Sequence, residues 1–192
     1  MITTLPVLWI VVLPVLDLQA LPRHHGHVPL LLVHAVGGLS MLLLGAIALY
    51  IGWTRRAFKQ HRWFGYGYLG LGSMGAMAAL ALSIQAPHPN KGLYVATGTL
   101  AAVWLGAAAM AWRAARNRRF DSHRDWMIRS YVLTWTFVGC RLVGRIPPLD
   151  AVGPEGVAAL IWLNWVVPLV VCEAALQWRN GSKNAAHRAA NR

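Results

Sequence analysis

Charge is scarce in this chain. Only 12% of its 192 residues are Asp, Glu, Lys or Arg, against 57% hydrophobic, and the charges fall in clusters. That composition argues against a soluble domain, whose surface carries about twice that share of charge. Cysteine is scarcer still. Cys140 and Cys172 are the only two, and both fall inside apolar stretches, which argues against a disulfide and for buried, inert thiols. No local set of three or four His, Cys or carboxylate side chains offers a zinc site. The net charge of +12 does not indicate nucleic acid, because Lys and Arg gather in short loops between apolar runs. That pattern orients helices in a lipid bilayer.

Apolar runs of membrane-crossing length recur, the requirement being about 20 residues. They predict an all-α, integral membrane six-helix bundle. The expected spans are approximately 2–21, 28–53, 63–86, 92–112, 126–145 and 156–178. They form one transmembrane domain over 1–178, followed by a basic tail, 179–192, expected to be mobile. The first run contains Pro6, Pro14 and Asp17 and has no basic leader, so it reads as a retained, irregular span and not a signal peptide.

Six spans put the loops 54–62 and 113–124 and the tail on one side. Arg55, Arg56, Lys59, Arg62, five arginines of the second loop and the tail's cations lie there, against Arg23, Lys91 and Arg145 opposite. The positive-inside rule makes the basic side cytoplasmic, with both termini inside, and the expected location is a bacterial cytoplasmic (inner) membrane. Trp residues gather near span ends, as interfacial anchoring requires. Glycines 65, 67, 70, 72 and 75 imitate a dinucleotide-binding fingerprint, but no strand precedes them. Small residues there serve close helix packing or a flat ligand.

The most specific stretch is Phe120-Asp121-Ser122-His123-Arg124-Asp125-Trp126-Met127-Ile128-Arg129-Ser130. Ser122 and Asp125 have capping-box spacing, which predicts a helix start with His123 at its first position. Phe58-Lys59-Gln60-His61-Arg62-Trp63 echoes it, so two helices starting alike on one side predict a site between them. Two facing histidines can take both axial positions of haem b, and a helix N-terminus keeps an imidazole neutral, as a ligand must be. Arg62, Arg124 and Arg129 stand where propionates could be paired. The competing reading has both histidines capping helices and meeting lipid phosphates.

Ionisable residues inside a membrane are costly and need partners. Arg129 and Glu173 come to similar depth at about 1.5 Å of rise per residue, so a pair between them is expected. A second, outer polar layer gathers Asp17, His34, Arg141 and Asn164 from four spans; a proton or quinone pocket and a satisfied polar knot are both open. His24, His25 and His27 lie in an outer loop, where solvation is the simpler reading than a metal site.

Several of these residues carry a family resemblance. His34-x-x-Gly37, His61-Arg62-x-x-Gly65-x-x-Tyr68, Trp104, and His123-Arg124-x-Trp126-Met127-x-Arg129-Ser130-Tyr131 with Arg141 resemble a bacterial family of predicted membrane proteins, domain of unknown function 2306, over about 28–178. A looser likeness is to the six-helix transmembrane di-haem cytochromes b, which implies His61 and His123 as one ligand pair. The fourth span has no histidine, a departure from that pattern.

The leading expectation is a multi-pass membrane protein holding one haem b between His61 and His123 and passing electrons to or from a quinone. The alternative is a non-catalytic assembly factor or a small subunit packed against a larger membrane complex. A small-solute transporter ranks third, because the repeat runs parallel and not inverted.

Overall fold

A computed structural model describes residues 26–85, 91–143 and 154–190 of the chain. These residues are helical throughout, apart from short turns. The helices are α1 (Val28–Thr54), α2 (Phe58–Gln85), α3 (Lys91–Arg116), α4 (Phe120–Thr134), α5 (Thr136–Val143) and α6 (Pro154–Ala190). Among them Val28–Thr54, Lys59–Gln85, Lys91–Arg116 and Gly156–Ser182 are long and apolar enough to cross a membrane. Leu32, Leu43, Ile47, Met77, Val170 and Val171 leave their apolar side chains on the outside, where a bilayer is the compatible solvent. The expected span 2–21 with Asp17, His24 and His25, and residues 144–153, lie outside the described residues.

The helices reach further than the apolar runs. α2 and α4 begin within the basic loops, leaving turns of residues 55–57 and 117–119. Arg and Lys are good helix formers, so charge ends a span without ending a helix. Each turn is closed by left-handed backbone: Arg55 and Ala57 in the first, Arg118 in the second, all at positive φ. The Arg55 N–H donates to the Ile51 carbonyl at 2.8 Å, closing the end of α1.

Three local expectations are corrected. α4 starts at Phe120 with Arg119 as its cap and no side-chain capping bond. His123 is therefore in its fourth position, and Asp125 has other partners, described below. The expected span 126–145 is two helices meeting at Trp135, whose N–H is shared between the Tyr131 and Val132 carbonyls at 3.2 Å each. Thr134 contributes to that break, since its hydroxyl donates back to the Ser130 carbonyl at 2.9 Å, a contact that bends helices. The expected tail is helical through Ala190. Ala-rich sequence there favours continuation, and its first residues are held by α4.

Packing is set by small residues. α1 and α2 cross with Gly37 against Gly75, where an added Cβ on Gly37 would lie 2.6 Å from the Gly75 Cα. Gly72 makes room for the Trp104 ring, while Gly65 and Gly70 face open space. On α3, Ala96, Ala101, Ala107, Ala108 and Ala111 are all buried. The core around them holds Met41, Tyr68, Trp104, Met127, Leu133, Ile161 and Trp165.

Candidate functional site

His61 is the fourth residue of α2 and His123 the fourth of α4. Each opens the second helix of a hairpin and reaches back to the first. His61 Nδ1 lies 3.1 Å from the Ala48 carbonyl on α1, and His123 Nδ1 lies 2.9 Å from the Ala111 carbonyl on α3. A carbonyl only accepts, so Nδ1 carries the proton in both rings and the lone pair of the neutral imidazole is on Nε2. Ala48 and Ala111 are buried and small, and Gly52 clears the His61 ring, a Cβ there falling 3.2 Å from its Cε1. The two rings meet across the bundle with centroids 6.4 Å apart and planes at 90°. Both hairpin turns thus share one end of the bundle.

Two of the expected cations lie over tryptophan rings. The Arg124 guanidinium lies over the Trp53 ring at 5.0 Å, and Arg129 over Trp126 at 4.8 Å. Arg62 is exposed beside His61. Arg129 also meets Glu173 on α6, with Nε and Nη2 each 2.7 Å from Oε2, and Gln177 Nε2 donates to Oε1 at 3.2 Å. The expected Arg129–Glu173 pair is formed, and it commits Arg129 to α6. A second clasp joins the same helices: Arg179 pairs with Asp125 Oδ1, and Asn180 Nδ2 donates to Oδ2 at 3.1 Å. Burial alone would raise the Asp125 carboxyl. The hydrogen bonds from Asn180 and Arg179, with the Arg179 and Arg129 charges, outweigh it and hold the group below its ordinary value.

About two turns deeper than the histidines is a polar layer that sequence reasoning missed. The Tyr68 hydroxyl donates to Ser130 Oγ at 3.0 Å and lies 3.3 Å from Thr134 Oγ1. Trp104 Nε1 donates to that same Thr134 oxygen at 3.1 Å, and Ser130 Oγ donates to the Met127 carbonyl at 2.9 Å. Tyr68, Trp104, Ser130 and Thr134 are all buried, so this network ties α2, α3 and α4 together with its donors satisfied. The available signal was Tyr68, Trp104 and Ser130 recurring in the family pattern without an assigned task. Tyr131 adds a bond from its hydroxyl to the Leu42 carbonyl at 3.2 Å, and Gly45 leaves the space for both tyrosine rings.

Of the expected outer cluster, His34 and Asn164 are among the described residues and Asp17 is not. His34 Nδ1 lies 3.1 Å from the Gly75 carbonyl, whereas Asn164 Nδ2 donates to Leu160 within its own helix at 2.9 Å. Arg141 is on α5, and its side chain lies outside those described. His34 also borders a partly open cavity of about 230 Å³ to which every helix contributes, with Met41, Trp104, Thr136, Cys140 and Ile161 among its walls. No group of three or more His, Cys, Asp or Glu able to hold a metal occurs among the described residues.

Helices of this length and polarity, packed by glycine and alanine around a polar layer, define a helical membrane protein. The chain belongs to the family of predicted membrane proteins designated DUF2306, whose model matches residues 31–176. Neither a curated protein nor a solved structure matches it.

Proposed function

We propose that the His61–His123 pair holds a single haem b and that the protein carries electrons in the membrane, exchanging them with a quinone. The observation that carries this reading is the ring-centre separation of 6.4 Å. Two imidazoles sharing one metal at about 2 Å per bond have ring centres roughly 6 Å apart. Two protein ligands are too few for zinc but complete an iron whose other four positions belong to a porphyrin. The Nδ1–carbonyl bonds supply what such ligands need, a fixed tautomer and orientation and a more basic Nε2. Haem would contribute one-electron chemistry; His61 and His123 would hold it through their Nε2 atoms, and Arg62 and Arg124 would offer positive charge nearby.

The same reading takes six spans with both termini cytoplasmic in a bacterial inner membrane, because the two basic turns and the end of α6 lie at one end of the bundle. A reduced-minus-oxidised absorption spectrum of detergent-purified protein tests it. A Soret and α-band signal that disappears in both His61→Ala and His123→Ala is expected. A colourless protein, prepared where control cytochromes keep their haem, refutes it. Stoichiometric co-purification with another membrane subunit and no cofactor would favour the packing-subunit role.

A further inference from the structure

The cavity bordered by His34 lies on the far side of the Tyr68–Thr134 layer from the histidine pair. Its volume, about 230 Å³, is below the roughly 300–1,000 Å³ of pockets for drug-sized ligands. It is larger than the roughly 150 Å³ apolar cavity that stays dry and takes up benzene. One substituted ring fits that interval. The walls are almost entirely aliphatic and aromatic, and the hydroxyls of Thr97 and Thr134 are already bonded to the Leu93 and Ser130 carbonyls at 2.9 Å each.

Thr136 is the exception. It is 2% exposed, it borders the cavity, and its Oγ1 has no hydrogen-bond partner among the described residues. A buried hydroxyl without a partner is disfavoured, and most Thr side chains in helices escape by bonding back one turn. Thr136 begins α5 directly after the Trp135 break, on the wall of the cavity.

We propose that the cavity binds the headgroup of a lipid-borne carbonyl compound of the quinone class, with the Thr136 hydroxyl donating to its carbonyl oxygen. The inference rests on the redox reading for the ligand's class, and on the cavity alone for the site. It places the headgroup and the histidine pair on opposite sides of one buried hydroxyl layer.

Duroquinone and durene test it, being the same methylated ring with and without carbonyl groups. Thermal stabilisation of the detergent-solubilised full chain reads binding without reading redox chemistry. Duroquinone should stabilise saturably and durene more weakly. Thr136→Val should weaken duroquinone by up to about tenfold, the scale of one hydrogen bond, and leave durene unchanged. Ala101→Leu, or Ala76→Leu if the first fails to fold, should fill the space and abolish both.

No saturable stabilisation overturns the proposal, as does equal response to the two probes or indifference to the filled cavity. The two readings fail separately. His61→Ala protein should lose any visible spectrum and keep duroquinone binding. Chain that carries haem but does not bind duroquinone would sink the cavity assignment alone.

Discussion

At the scale of single residues, the hydroxyl layer shows how unevenly one network distributes its cost. Thr134 Oγ1 accepts from Trp104 and lies within reach of Tyr68. Thr134→Val therefore strands a buried indole N–H, whereas Tyr68→Phe only withdraws a donor. Thr134→Val should destabilise by about 1–3 kcal/mol and Tyr68→Phe by about 1 kcal/mol, measured by thermal or chemical unfolding in detergent. Equal losses would mean that the Trp104 bond contributes nothing. Asp125 gives a pH dependence of definite sign. Its folded-state carboxyl is held below the ordinary value, so its stabilisation is complete above the unfolded-state value and is lost as pH falls through the depressed one. Melting temperature should decline below about pH 4, and Asp125→Asn should be less stable than wild type at neutral pH with a shallower acid decline.

At the scale of elements, glycine separates what pattern reading can reach from what it cannot. The sequence marks glycines 65, 67, 70, 72 and 75 alike as packing residues, yet Gly72 and Gly75 meet a neighbour while Gly65 and Gly70 face open space. Gly75→Val should force α1 and α2 apart at a cost of about 1–3 kcal/mol or more, and Gly70→Ala should leave unfolding unchanged or improve it. Helix identity, the paired histidine starts and the Arg129–Glu173 contact were legible because each depends on local period or depth. The start of α4 and the break at Trp135 were not. The Ser122–Asp125 spacing imitates a cap, but Asp125 finds Arg179 and Asn180 on a distant helix, a tertiary preference that no local spacing carries. Thr136 was equally invisible, because an unbonded hydroxyl has meaning only beside a cavity.

At the scale of the whole molecule, charge and aromatic rings mark one end. Trp53, Trp63 and Trp178 are exposed there, beside the turns that carry Arg55, Arg56 and Arg118. With Cys140 and Cys172 replaced, single cysteines at Arg56 and Arg118 should react with an impermeant maleimide only from the cytoplasmic face. Labelling from the outer face would reverse the proposed orientation. Of the polar side chains that sequence places in the outer half, His34 and Asn164 each bond a backbone carbonyl, a contact that no sequence spacing announces.

The two hairpins are near-copies in their working parts: a short left-handed turn, a Phe-led helix start, and an imidazole clasped to the preceding helix. Each half therefore preorganises its own ring before the halves meet. Cutting the chain between α2 and α3 and co-producing the fragments should still yield one assembled protein, joined where Tyr68 meets Ser130. Two copies of the first half would lack Ser130, Thr134 and Trp104 to receive that tyrosine, so the fragments should sort into unlike pairs.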